Sequence, residues 1–165
     1  MSSKSTFEIG SWVVYPSHGV GKLDDIEKIE IDDVSMEFFV ISFEKSKLTL
    51  KLPVKKAVDS GLRKISTKAD MKNIIESLQQ KNKKRRLMWS KRAQEYENKI
   101  NSGDPISIAE VIRELYKDGG EAMQSFSERQ IYQQAMERLA REVSVIEDID
   151  ESEAVRRLEV VLQAA

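Results

Sequence analysis

Cysteine is absent from the 165 residues, which removes disulfides, thiolate zinc sites, iron–sulfur clusters and cysteine nucleophiles together. Histidine occurs once, as His18, so three-histidine and H-E-x-x-H metal sites are excluded too. No apolar run is longer than Phe38-Phe39-Val40-Ile41, far short of the roughly 20 residues a membrane helix requires. Residues 1–10 lack the apolar stretch of a signal peptide, so a cytoplasmic protein is expected. The phosphate-loop patterns G-x-x-x-x-G-K-S/T and G-x-G-x-x-G do not occur, nor does the nucleophile elbow G-x-S-x-G. Nothing in the chain argues for catalysis, a metal or a cofactor. An excess of one charge sign is missing as well: 27 Lys plus Arg face 28 Asp plus Glu, a net charge of -1. Any signal for nucleic acid must therefore be local.

What is present divides into two halves with different periods, at a length that suits two small domains. Residues 7–54 read as strands. Trp12-Val13-Val14-Tyr15 is β-branched and aromatic and stops at Pro16, with turn chemistry in Ser17-His18-Gly19 before Val20-Gly21-Lys22-Leu23. Further strands are expected over 37–43 and 48–52, the latter alternating Leu48, Leu50 and Leu52 against Thr49 and Lys51. Asp24, Asp25, Glu27, Glu30, Asp32, Asp33 and Glu37 make the middle connection, between the 20–23 run and the 37–43 strand, acidic. Four or five short strands are too few for a sandwich, so a small SH3-like or Tudor-like β-barrel is expected over residues 1–60. Trp12 is assigned to that barrel and His18 to its turn.

Residues 67–165 follow a helical period. Thr67-Lys68-Ala69-Asp70 resembles a capping box before Met71, Ile74, Ile75 and Leu78. A second helix is expected from Leu87 to Ser102-Gly103, with Ala93, Tyr96 and Ile100 inward. Asp104-Pro105 supplies an N-cap followed by proline at the first helical position, and Gly119-Gly120 is expected to end that third helix. Ser127-Glu128-Arg129-Gln130 is a further capping box, and residues 150–165 form a last helix. The fold class is thus α+β, a small barrel followed by a five-helix bundle.

The local charge signal lies before and within the second helix. Lys81, Lys83, Lys84, Arg85, Arg86, Lys91 and Arg92 fall within twelve residues, 81–92, that contain no acid. Clustered cations neutralise phosphates and release counterions, although a bare basic run also reads as a solvated linker. Trp89 sits inside this tract. It either begins the buried stripe that continues through Ala93, Tyr96 and Ile100, or forms a wedge or stacking group held against nucleic acid by its cationic neighbours.

Phe7-Glu8-Ile9-Gly10, Val13-Val14-Tyr15-Pro16 and His18-Gly19-Val20-Gly21 together resemble the opening of the CarD/CdnL bacterial transcription factors, a module shared with the transcription-repair coupling factor. Trp89-Ser90-Lys91-Arg92, Gly103-Asp104 and Ala109-Glu110-Val111-Ile112-Arg113-Glu114-Leu115 resemble the same family's helical signature. The resemblance implies a Tudor-like domain on the RNA polymerase β subunit and a helical domain on promoter DNA at the upstream edge of the bubble. There a tryptophan wedges into the minor groove and stabilises the open complex. By motif that role falls on Trp89, with Lys91 and Arg92 as backbone contacts and Lys83, Lys84, Arg85 and Arg86 alongside. Lysine at 91 departs from the more common arginine and gives up bidentate phosphate geometry. The resemblance also implies that Lys51, two residues before Pro53, takes the polymerase contact. The stretch aligned with a second family arginine reads Lys28-Ile29-Glu30, in which Lys28 is the one cation.

The expected protein is therefore a monomeric, nucleoid-associated, non-enzymatic regulator with polymerase and promoter DNA as partners and no membrane or small-molecule substrate. The alternatives are a general nucleic-acid module, including an RNA binder, that works without polymerase, and a protein-interaction scaffold.

Overall fold

Five strands arise where β-branched and aromatic residues cluster between turn residues: β1 (Trp12–Tyr15), β2 (Gly19–Ile31), β3 (Val34–Phe43), β4 (Leu48–Pro53) and β5 (Arg63–Lys64). The structure is a computed structural model that describes residues 7–80, 88–116 and 126–164. The chain divides into two compact units, Met1–Ile65 and Ser66–Ala165.

In the first unit the strands form one antiparallel sheet in the order β4-β3-β2-β1-β5. Leu23, Phe39, Ile41, Phe43 and Leu52 project from one face and bury with Phe7, Val13, Val54, Ala57 and Leu62. Phe7 meets Phe39 edge to face at 5.6 Å between ring centroids. Among the described residues the expected barrel is an open sheet, since β4 pairs with β3 alone and β5 with β1 alone. Between β4 and β5, residues 54–62 run as a 3-10 turn (Val54–Lys56) and further turns, and their Val54, Ala57 and Leu62 join the same core.

The acidic residues 24–37 do not form a connection either. They extend β2 and β3 into a hairpin that turns at Asp32-Asp33, with φ of 51° and 65°. Left-handed φ at both central positions is what a twist-matched two-residue hairpin demands, and aspartate tolerates it. A register shift between Leu23 and Asp25 bends β2 at the arm's base. From there the arm's outer face pairs Ile29 with Met36 and Ile31 with Val34, of which Ile31, Val34 and Met36 are exposed.

The second unit contains α1 (Lys68–Ser77), α2 (Trp89–Asn101), α3 (Pro105–Leu115), α4 (Phe126–Glu147) and α5 (Glu151–Gln163). Thr67 caps α1 by accepting from the Asp70 N–H at 3.1 Å, and Asp104 caps α3 by accepting from the Ile106 N–H, with Pro105 at the first helical position. Ser127 is not an N-cap, because α4 already includes Phe126. Gly119-Gly120 lies outside the described residues, and α3 ends earlier, at Leu115. The apolar stripes meet in one core that includes Met71, Tyr96, Ile112, Leu139 and Leu158. Buried Glu142 accepts the Ser66 N–H at 2.8 Å, fastening the first residue of the unit to α4.

Gly21 is required by close approach. A Cβ there would lie 2.7 Å from Phe43 Cε1 and 2.8 Å from Ile41 Cγ2, both in the sheet core. Gly21→Ala is expected to destabilise the sheet unit by about 1–3 kcal/mol, read as a lower midpoint in urea titration of the full chain.

Candidate nucleic-acid and partner interface

The helical unit presents its candidate site at the start of α2. Trp89 is the first helical residue, and Met88 before it makes no side-chain cap. The backbone N–H groups of Lys91 and Arg92 both turn back to the Met88 carbonyl, at 3.1 and 3.0 Å. No acid stands in this first turn, which carries Lys91 and Arg92 instead. A helix N-terminus is the positive end of the macrodipole, so cations placed there work against the helix. The arrangement opposes local stability and suits an anion.

Trp89 resolves into neither alternative posed by its spacing. Its ring is half-buried and packs against the helical core, 6.3 Å from the fully buried ring of Tyr96 with a 54° tilt. One side of the indole is held by the bundle while the rest remains open to solvent. Met88, just outside the helix, is also exposed.

The two cations beside it behave differently. Lys91 is exposed. Arg92 is half-buried, its guanidinium carbon 5.7 Å from the Trp89 ring centre and 5.6 Å from that of Tyr96, and its Nη2 donates to Tyr96 Oη at 3.0 Å. Lys81, Lys83, Lys84, Arg85 and Arg86 lie outside the described residues. Reasoning from the sequence placed Tyr96 in the core but missed its hydroxyl as a partner for Arg92. The i, i+4 spacing of Arg92 and Tyr96 was the available signal.

In the sheet unit Lys51 stands on β4, the outermost strand on its side of the sheet, and its Nζ meets Glu27 Oε2 at 3.0 Å on the sheet's outer face. Lys28 is in the other class of positions. It pairs with Glu37 and shares the parity of core-facing Ile26 and Phe39, whereas Lys51 pairs with Val40 and shares the outward parity of Phe38 and Pro53. The structure therefore does not bring Lys28 and Lys51 onto one face. The outer face joins Lys51 and Pro53 to Phe38 and on to the apolar pairs of the arm, a surface hidden from the sequence reading because residues 24–36 read as a connection rather than as strands. His18 lies in the turn after β1, its ring stacked with Tyr15 at 5.7 Å and near Phe43 at 5.3 Å. Trp12 lies under Lys22 Nζ at 5.6 Å.

Comparison with known proteins matches both units. Residues 7–66 match the CarD-like/TRCF RID domain, and residues 73–159 match the CarD C-terminal domain. The chain belongs to the CarD family. Its relatives include a Bacillus subtilis (strain 168) protein named "Putative transcription factor YdeB", 31% identical over 147 residues that cover 89% of this chain and 96% of the relative. Within this CarD-family chain, the Trp89-Ser90-Lys91-Arg92 motif falls inside the matched C-terminal domain, and Lys28 and Lys51 inside the RID match.

Half-burial sets the energetic role of the indole. Trp89→Ala is expected to cost about 1–2 kcal/mol of helical-unit stability, below the ~3–5 kcal/mol of a fully buried ring. A thermal melt of the full chain measures it.

Proposed function

We propose that this protein is a transcription regulator that docks on the RNA polymerase β subunit through its sheet unit and stabilises melted promoter DNA through its helical unit. It acts by binding and not by catalysis. The observation that carries the reading is Trp89: a half-exposed indole at an uncapped helix start that holds Lys91 and Arg92 and no acid. Local stability disfavours this set, and departures from local rules of this kind collect at functional sites. Lys83, Lys84, Arg85 and Arg86 stand three to six positions earlier in the chain and add to the local excess of positive charge. An apolar ring among cations matches a minor-groove wedge, which offsets the few kcal/mol of lost base stacking with new contact area. Membership of the CarD family and a relative named as a transcription factor support the regulatory role, and with it a cytoplasmic, nucleoid-associated location.

For the sheet unit the support is the match to the RID domain, a type that interacts with RNA polymerase. Edge strand β4 offers backbone groups for strand addition. Lys51 and the outer apolar face flank that edge. Lys28, directed to the other face, contributes through long-range charge rather than through the same contact.

Two measurements test the reading. Duplex DNA binding by the full chain is expected to be weak and tolerant of sequence, with log K falling against log salt at a slope of about -3 to -5, since each phosphate neutralised contributes roughly -0.9. A flat dependence would remove DNA from the proposal. Capture of the β subunit is expected to weaken at least about tenfold in Lys51→Glu, which sets two carboxylates side by side with Glu27 and reverses the edge charge. Salt-dependent DNA binding without β-subunit capture would leave a general nucleic-acid module.

A further inference from the structure

Trp89, Arg92 and Tyr96 occupy positions i, i+3 and i+7 of α2 and so line one face of the helix. The two rings, tilted by 54° with centroids 6.3 Å apart, form a V, and the Arg92 guanidinium lies near both at 5.7 and 5.6 Å. Its Nη2 is committed to Tyr96 Oη at 3.0 Å. Its Nε is buried and has no hydrogen-bond partner among the described residues, as expected of an N–H turned toward ring faces instead of toward water or an anion. A side chain whose task is to meet phosphate keeps its donors in solvent, as exposed Lys91 does.

We infer that Arg92 is a positioning residue: it clamps the Trp89 ring against Tyr96 and does not itself bind the DNA backbone. The inference rests on the reading of Trp89 as the DNA-contacting ring. Tyr96 is fully buried and fixed by the core, and Arg92, fixed by Tyr96, limits the swing of an indole that the bundle covers on one side only. A ring ordered in advance loses less rotamer freedom on insertion. Arginine suits this task better than lysine, because a planar guanidinium stacks on one ring while hydrogen-bonding beside the other. The division of labour follows: Lys91 supplies charge to phosphate, and Arg92 supplies order to the ring.

The test uses the full chain in a Trp12→Phe background, so that Trp89 is the one tryptophan, excited at the red edge where tyrosine does not absorb. Without DNA, Arg92→Gln is expected to lower the fluorescence anisotropy of Trp89 and Arg92→Lys to lower it less, while Lys91→Gln leaves it unchanged. Tyr96→Phe, which removes only the hydroxyl, is expected to lower it in part. On a duplex with an unpaired segment, Arg92→Gln is expected to weaken binding by about 3–10-fold, the range for losing an ordinary cation–π contact, with the salt slope unchanged. Lys91→Gln is expected to reduce the magnitude of that slope by about 0.9. If Arg92→Gln instead reduces the slope by that amount and leaves the anisotropy of Trp89 unchanged, Arg92 is a phosphate contact and the inference is overturned. If the unsubstituted chain binds no DNA, the proposed function fails on its own account; the DNA-free anisotropy then decides the clamp, a fall supporting it and no change overturning it.

Discussion

Tyr96 is the point at which the interior of the helical unit controls its surface. Its ring is fully buried in the core with Met71, Ile112 and Leu139, and its hydroxyl accepts from Arg92 at 3.0 Å. Two turns toward the start of α2 the same face carries Trp89. Order thus passes outward along one helix face, from a rigid ring through a guanidinium to a half-exposed indole. The apolar stripe of α2 sets the direction of this relay: Tyr96 and Ile100 must face the bundle, and the 3.6-residue period then places Trp89 and Arg92 on the rim of the same face.

The cost of this arrangement is visible at the helix start. α1 and α3 begin with side-chain caps, from Thr67 and Asp104, and α1 carries Asp70 in its first turn. α2 has neither cap nor acid there and carries two cations. Capping by Ser, Thr, Asp or Asn typically contributes about 1 kcal/mol, and the macrodipole adds a few tenths for each well-placed charge. Among the described residues, α2 is the helix start that shows neither; α5 also lacks a side-chain cap but carries Glu151 and Glu153 in its first turn. Cohesion comes from elsewhere, from the shared apolar core and from Glu142, which accepts the backbone N–H of Ser66 just before α1.

Much of this was legible in the sequence because it is local. Thr67, Asp104 and Pro105 act through residues two or three positions away, and the stripes through Met71, Ile108, Val111 and Leu158 follow helical spacing, so caps and core faces could be read directly. What could not be read depends on long-range pairing. Residues 54–62 add Val54, Ala57 and Leu62 to the sheet core from turns, and periodicity does not distinguish such a segment from a strand. The arm was read as a loop because acidic residues are poor strand formers in isolation. Its strand character comes from cross-strand pairs such as Ile29 with Met36 and Lys28 with Glu37, which no window on one strand contains. At the candidate site the sequence located Trp89 and its cations but could not choose between core and wedge, since a rim position satisfies both patterns.

The same pairing decides what the sheet unit can offer a partner. Strand parity is absolute on a given side of a bulge, and the register shift between Leu23 and Asp25 re-aims every residue of β2 beyond it. Paired without that shift, Ile29 and Ile31 would point toward the core side and Lys28 would stand outside near Lys51. With it, the outer face is an apolar row of Ile29, Ile31, Val34 and Met36, running toward Phe38 and Pro53 and flanked by the ion pair of Glu27 and Lys51. An apolar strip beside one surface ion pair binds mainly by area, and its charge contributes orientation and association rate more than affinity. Such docking tolerates salt better than a cluster of phosphate contacts does. Under the proposed function, dependence on ionic strength would be concentrated in the helical unit, and a docked sheet unit would raise the effective concentration at which weak, salt-sensitive DNA contacts act.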